Sequence, residues 1–566
     1  MSTALKHHRL AVIGGGPAAL FIYKTLVDSG RTSFTVDIFE RKPVLGLGMP
    51  YSNEGAGMEH ITNVSGNEIP KLVTGTEEWM RSLPPARLHR FAIDPEKFSE
   101  YRVFPRLLFG EYLNDQFSLL LEKGKTLGIK TTVHLNTEVS EIEDDEQAGL
   151  VRVTADGATG QFDYVIICSG HNWPCRNEGK VPGYFDSPYP PAKLEKRFNH
   201  EIAIRGSSLT AIDAIRTLAR HNGSFRKNGE RLEFIPDPAS PDFNMVMHSI
   251  DGLLPAVRFH LEDSHLAGEN LLTEKEILQH LVDNDGFLSL DYIFEKDFKE
   301  SLKRKDPEFY ARVKDQTVEE FVAGIMPARV AMDPFDLFRK EYEEAARSIR
   351  KHESVYWKEL LAVLSFAMNY PAKHFSAEDM QRLKKSLMPL ISVVIAFVPQ
   401  SSCEELLALH DAGKLQLVDV DRESEVIPVE EGGIIYKYSK DEQKTFRTYV
   451  NGIGQPHLEM DDFPFRKLAE QGAVSPALLR FRDPAEGVKA MEKTPDQVVE
   501  KDGGYFLKVP GLAITDTFRV ISATNLHNAR IRLMAVPYIG GYNPDYSGLD
   551  FCEEASRHIV NDLFGD

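Results

Sequence analysis

The chain has 566 residues, too many for a single hydrophobic core, so two or three domains are expected. Its hydrophobic fraction of 42% is that of an ordinary globular protein, and its formal net charge of −19 argues against nucleic acid or an anionic membrane as a partner. The four cysteines, Cys168, Cys175, Cys403 and Cys552, lie far apart with no C-x-x-C spacing, which argues against a dithiol redox pair and against any zinc site and fits a reducing cytosol.

Residues 9–13 are a short apolar run of strand type that breaks into Gly14-Gly15-Gly16-Pro17-Ala18-Ala19. An apolar-periodic helix is predicted over 17–29, and a second strand over 35–39 that ends on Glu40. Strand, glycine turn, helix, strand and terminal acid in that order are the context of a dinucleotide site. Gly14 permits the turn, Gly16 admits a pyrophosphate, and Ala19 lets the helix lie close on the strand. The helix N-terminus faces the phosphates, and Glu40 takes the ribose hydroxyls. Gly46-Leu47-Gly48-Met49-Pro50-Tyr51 is a loop of forced backbone geometry placed to run along the cofactor. His60 and Asn63 read either as cofactor contacts or as turn and interior hydrogen-bonding residues. A helix is predicted from Phe104 to about Gly124. Arg106 at its start is a candidate for a phosphate or substrate carboxylate, with a surface ion pair as the alternative.

Residues 130–135, 138–143, 150–155 and 161–163 read as strands of a small antiparallel meander. A fully apolar strand over 164–168 then bursts into Ser169-Gly170-His171. The plan repeats at 201–205, followed by Gly206-Ser207-Ser208-Leu209-Thr210-Ala211 and a helix to about Arg220, with Ser208 where a second glycine usually stands. The next strand, 243–249, ends near Asp251, with no Arg or Lys between Phe243 and Pro255. An acid there leans toward NADH, or toward no nicotinamide at all. A long loop is expected over 222–242, whose Arg226, Lys227 and Arg231 could fold back over that site.

From about 259 to 417 the pattern is helical, with helices over 273–284, 306–313, 318–323, 334–350, 356–367, 377–387 and 402–412. Thr273 and Glu276 have the spacing of a capping box. Strands return at 415–420, 434–438 and 448–450, the last leading into Asn451-Gly452-Ile453-Gly454-Gln455-Pro456 as a second apolar-to-glycine return. Gly540-Gly541, ahead of a helix predicted over 549–563, offers backbone N–H groups and a positive dipole end suited to a flavin pyrimidine edge. The glycine turn comes too early for a signal-peptide core. The longest apolar run, 387–398, is too short for a bilayer and contains Pro389, so a cytoplasmic protein without membrane contact is expected.

Together these motifs resemble the FAD-NAD(P)-binding family of bacterial two-dinucleotide flavoproteins, similar in layout to N-hydroxylating flavin monooxygenases. The marks are the opening Gly-Gly-Gly-Pro-Ala-Ala, Gly48-Met49-Pro50-Tyr51 with residues 60–65, and Arg106 with Phe109-Gly110 and Tyr112-Leu113. Residues 206–211 with Asp213, and Gly252-Leu253-Leu254-Pro255, complete them. The likeness covers residues 8–256 best, 400–460 loosely and the helical block hardly at all. The basic pair common before Gly-Leu-Leu-Pro is Ile250-Asp251 here.

The resemblance implies an α/β fold of two Rossmann-like units with a helical insertion. Residues 1–200, completed by 460–566, would bind FAD. Residues 201–258 and 415–459 would form the NAD(P)-type unit, and 259–414 the insertion. FAD is the implied cofactor, NADH or NADPH a possible reductant, a small molecule the substrate, and monooxygenation the leading chemistry. A flavin-binding scaffold or sensor, or a dehydrogenase or oxidase reduced by its own substrate, are the alternatives. The candidate cofactor-binding residues are Gly14, Gly15, Gly16, Pro17, Ala18, Glu40, Arg41, Asn63, Arg106, Val139, Ser169, Gly170, Gly206, Ser208, Leu209, Thr210, Gly540 and Gly541. No catalytic residue, substrate identity or oligomeric state is readable, because the cofactor carries the hard chemistry and the protein supplies position.

Overall fold

The computed structural model describes residues 7–94, 98–262, 271–369, 371–439, 442–542 and 548–565. The first strand, β1 (His8–Ile13), buries Leu10, Ala11 and Val12 completely and feeds helix α1 (Pro17–Asp28). Pro17 sits in the first helical turn, where its missing N–H costs nothing. Beyond α1 come β2 (Phe34–Glu40), helix α2 (Arg106–Thr126), β3 (Lys130–Leu135) and β4 (Tyr164–Ile167). β4 is apolar throughout because both of its faces are covered.

The second unit opens with the short strand β5 (Tyr184–Phe185) and β6 (Glu201–Arg205). Helix α3 (Leu209–His221), β7 (Asn244–Ile250), β8 (Leu415–Val420) and β9 (Thr448–Asn451) follow. The chain ends with β10 (Arg519–Ile521), β11 (His527–Leu533) and helix α4 (Leu549–Phe564). One sheet runs β10-β11-β4-β1-β2-β3 and the other β5-β9-β6-β7-β8. Every pairing is parallel except β10 with β11. This is the α/β fold with two Rossmann-like units that the sequence predicts.

The first sheet depends on the far end of the chain. β11 lies beside β4, with Met534 N donating to Ile167 O at 2.8 Å. Helix α4 packs on α1, where the Thr25 and Ser556 hydroxyls meet at 2.7 Å and Lys24 reaches Glu553 at 3.3 Å. The helical block is inserted between β7 and β8, which are neighbours in the second sheet. Its apolar residues divide. Phe294, Phe298, Phe321, Leu361 and Leu387 join the core of the first unit, and Phe335, Phe338, Ala362 and Cys403 that of the second.

Three expectations need correction. Residues 130–135 are not part of the antiparallel meander. They are a parallel edge strand on β2, and only Val139–Asp145, Leu150–Ala155 and Ala158–Phe162 form the meander. Residues 222–242 are not one long loop but contain a hairpin of Gly223–Asn228 and Arg231–Pro236. It leaves the C-terminal end of α3, opposite the glycine turn, and Arg231 there pairs with Asp411 at 2.6 Å. In the helical block a π-turn, Phe294–Lys299, joins Leu290–Ile293 to Glu300–Lys305 as one helical stretch absent from the sequence reading. The helices expected at 318–323 and 377–387 run on to Val330 and Val394. Residues 263–270, within the stretch read as helical, lie outside the described residues.

Candidate functional site

A cavity of about 470 Å³ opens at the carboxyl end of the first sheet. Gly14 carries φ +105°, and a Cβ there would meet Cys168 O at 2.6 Å, so the turn requires glycine. Gly16 caps α1 with no side-chain bond to the first amides. A Cβ at Gly16 would stand 3.2 Å from Gly48, so the fingerprint and the loop of residues 46–51 approach each other as bare backbone. The uncapped start of α1 supplies N–H donors and a positive dipole end. Glu40 is buried at the end of β2 and accepts from Gly15 N at 2.7 Å and Lys42 N at 2.9 Å. Its carboxylate thus fixes the glycine turn from below while bordering the cavity.

Of the candidates named from sequence, Gly14, Gly16, Pro17, Ala18, Glu40, Arg41, Val139, Ser169 and Gly170 border this cavity. Gly15 lies behind it, in contact with Leu45 and Glu40. The Ser169 hydroxyl is buried without a hydrogen-bond partner, an arrangement that costs free energy unless a ligand supplies one. The backbone cradle, the open helix end and this orphan hydroxyl fit a bound dinucleotide. Gly540 and Gly541 stand elsewhere. A Cβ on Gly541 would strike Pro510 O and one on Gly540 the His457 ring, so both serve close packing. The helix start that borders the cavity is Gly548-Leu549, with Cys552 one turn on.

A second cavity, of about 400 Å³, shares residues 49–51, His171, Gly548 and Leu549 with the first. Its remaining wall comes from three sources. Asn63 and Arg106 belong to the first unit, Leu209 and Thr210 open α3, and Ala362, Phe366, Ile395 and Phe397 face in from the helical block. Gly206 and Ser208 border neither cavity. Gly206 has φ +98° and packs on Gly452 O, so the second glycine turn is closed by the second return loop as the first is by Cys168.

Arg106 takes part in a buried clamp between the two units, and not in a surface ion pair. Its guanidinium donates to Asp213 at 2.5 and 3.2 Å and to Ile61 O at 3.0 Å, and Tyr189 Oη donates to Asp213 at 2.7 Å. Burial opposes ionisation of Asp213, but Arg106 and the Tyr189 hydrogen bond outweigh it and hold the carboxyl below its usual range. His60 Nδ1 accepts from Gly57 N at 2.8 Å, so Nε2 carries the proton and donates to Asp213 O at 3.1 Å. His60 is thus an interior structural residue. A second buried pair, Arg258 with Glu68, ties the segment after Gly252-Leu253-Leu254-Pro255 to Ser65 and to Asn63 O. Arg258 is a residue the sequence reading did not single out.

The comparisons agree with this geometry. Residues 11–172 match the family described as FAD-NAD(P)-binding, and residues 273–395 the one described as YdhS-like middle domain. An uncharacterized protein of Escherichia coli (strain K12), YdhS, is 25% identical over 98% of this chain and 96% of its own length. Similar solved structures include the FAD-bound cadaverine monooxygenase DfoA of Erwinia amylovora, with 10% identity, coverage of 98% of this chain and 94% of that one, and a TM-score of 0.44. Another is the bacillithiol disulfide reductase Bdr (YpdA) of Staphylococcus aureus, with 10% identity, 99% coverage of both chains and a TM-score of 0.42. Among the described residues no helix is long and apolar enough to cross a membrane. Residues 11–172 of this chain thus match the FAD-NAD(P)-binding family within an α/β fold of two parallel-sheet units, and the segment that matches the YdhS-like middle domain is inserted into the second of them.

Proposed function

We propose that the protein is an FAD-dependent oxidoreductase that draws electrons from a nicotinamide coenzyme and acts on a small molecule, with monooxygenation the favoured chemistry. The observation that carries this reading is the contact between the two cavities at residues 49–51, His171 and Gly548-Leu549. A dinucleotide in the cavity of the first unit would reach the rim of a chamber that the second unit and the helical block enclose. Bound FAD would supply hydride acceptance and onward electron transfer. Gly14, Gly16 and the start of α1 would hold its pyrophosphate, Glu40 its ribose, and Ser169 a polar atom nearer the junction. Disulfide reduction by the protein's own thiols is not favoured. There is no C-x-x-C, and burial pushes the Cys168 thiol well up and that of Cys552 to about 12.

Purified protein is expected to be yellow, and NADH or NADPH mixed in anaerobically should bleach the flavin within seconds. Bleaching by neither coenzyme would leave the scaffold reading. Bleaching by a substrate alone would mark a dehydrogenase or oxidase.

Coenzyme choice turns on Asp251. It stands just past β7 with φ +64°, and Arg422 from the turn after β8 lies 3.7 Å away, both side chains substantially exposed. The cation at this strand end is thus Arg422 and none of Arg226, Lys227 or Arg231. With the carboxylate in place, NADH is expected to be preferred, because Asp251 accepts ribose hydroxyls and repels a 2′-phosphate. Asp251→Ser should shift the ratio of reduction rates toward NADPH by about tenfold, equivalent to about 1.4 kcal/mol, by removing that repulsion and freeing Arg422. An unchanged ratio in stopped-flow flavin reduction would remove Asp251 from the coenzyme site.

A further inference from the structure

The two return loops of the parallel sheets lock onto each other. Ser169-Gly170-His171-Asn172 follows β4, and Gly452-Ile453-Gly454-Gln455 follows β9. Gln455 is the key. Its Nε2 donates to Asn172 O at 2.6 Å and to Pro456 O at 3.0 Å, and its Oε1 accepts from Asn172 N at 2.9 Å. A backbone N–H only donates and a carbonyl only accepts, so the carboxamide has one possible orientation. That oxygen also faces His171 Nδ1 at 3.2 Å. Nδ1 must therefore carry the proton, and in the neutral ring the lone pair is left on Nε2. Trp173 stacks on the imidazole at 5.6 Å between centroids and donates from Nε1 to Gly454 O at 3.2 Å, which fixes the ring's other flank.

His171 borders both cavities, at the place where they meet. We propose that His171 is the proton acceptor of the site, its Nε2 taking the proton from an N–H or O–H group of a small, mainly apolar molecule in the chamber beneath the helical block. The proposal rests on the reading of that chamber as the substrate site. The N–H or O–H bond of the ligand breaks, its electron pair stays on the ligand heteroatom, and the imidazolium so formed passes its proton to water when the ligand leaves. The Nδ1–H bond to Gln455 is kept throughout. The apolar body is implied by Trp173, Leu209, Phe366, Ile395 and Phe397 in the wall.

Burial lowers the His171 pKa below its ordinary value, against the opposing hydrogen bond to Gln455, so the ring is neutral and able to accept at pH 7. The ionisable groups around it leave this poise intact. Arg106 is paired with Asp213 and Glu68 with Arg258. Tyr51, Tyr189, Cys168 and Cys552 are kept neutral by burial. Asp550 borders the chamber, and Glu40, Arg41, Lys42 and Glu138 the opposite cavity.

Nitrogen-15 histidine NMR of the FAD-loaded protein tests this, with His171→Gln to assign the signal. The expected result is the Nδ1–H tautomer at pH 7.5, a pKa below 6.5, and a saturable shift of the Nε2 resonance on addition of phenol. Gln455→Glu should raise that pKa by at least one unit, because a carboxylate on Nδ1 favours the imidazolium. A purely structural histidine would show no phenol response. The Nε2–H tautomer, a pKa of 6.5 or more, or no saturable phenol shift would overturn the proposal. None of these readouts needs turnover. Protein that holds FAD but is bleached by neither coenzyme would therefore sink the nicotinamide-driven reading and leave the histidine result to be judged separately.

Discussion

Gly16→Val is expected to give a folded protein that no longer holds FAD, with affinity reduced at least a hundredfold, or about 2.8 kcal/mol. The reason is local. Gly16 has φ −79°, so valine brings no backbone strain of the left-handed kind. Its Cβ would stand 3.2 Å from Gly48 Cα, and the two methyl groups would occupy the space through which a pyrophosphate meets the start of α1. β1 and the buried face of α1 are untouched, so circular dichroism and the melting curve of the apoprotein should stay close to wild type. Retention of stoichiometric flavin absorbance in the variant would mean that the dinucleotide does not lie against this turn.

Asp213→Ala should be the most destabilising single substitution at the site. Asp213 answers two N–H groups of Arg106 and the Tyr189 hydroxyl, and the Arg106 and Asp213 side chains are only 15% and 6% exposed. Removing the carboxylate leaves a buried guanidinium without its counterion, which typically costs about 3–5 kcal/mol. The double variant Arg106→Met, Asp213→Leu should recover most of that loss, because two apolar side chains leave no orphan charge. The dependence on pH has a definite sign. A carboxyl whose folded pKa is depressed contributes stability above its unfolded value of about 3.9 and loses it as pH falls through the lower folded value. The difference in urea midpoint between wild type and Asp213→Ala should be full at pH 7 and shrink only below about pH 4. A double variant no more stable than the single one would mean that the clamp acts through geometry and not through charge.

The parts of this site that the sequence discloses are those where the backbone itself is the ligand-facing group. Gly14 and Gly206 announce their turns because no other residue tolerates φ near +100° against a facing carbonyl. β4 announces its place because a strand covered on both faces is apolar throughout. The parts that stay hidden depend on partners distant in the chain. Arg106 reads alike for a phosphate, a carboxylate or a surface pair until Asp213 is brought beside it. Arg422 is 171 positions from Asp251, and no local pattern joins them. Gly540-Gly541 misleads because glycine serves close packing as readily as anion binding, and here Pro510 and His457 press on it. The strands Pro476–Arg480, Val498–Lys501 and Gly504–Leu512 escape notice because they are short and split by the helix Pro484–Lys493. The helical stretch from Leu290 is obscured by its charges, of which Asp297 is buried and holds Leu272 N at 2.9 Å.

The division of the first unit between the two ends of the chain bears on biosynthesis. β1, α1, β2 and β4 leave the ribosome early, but β11, which covers the edge of β4, begins about 360 residues after β4 ends, and α4, which covers α1, about 520 residues after α1 ends. At ordinary elongation rates of about 5–20 residues per second, those intervals last roughly 20–100 seconds. During them β4 presents an unpaired parallel edge of Val165, Ile166 and Ile167, and the glycine turn lacks Gly548, Leu549 and Cys552 from its cavity. A cavity complete enough to hold a dinucleotide therefore forms only once α4 has been made. The nascent chain must be kept from pairing its open edge with other strands before the cofactor has a complete site to enter.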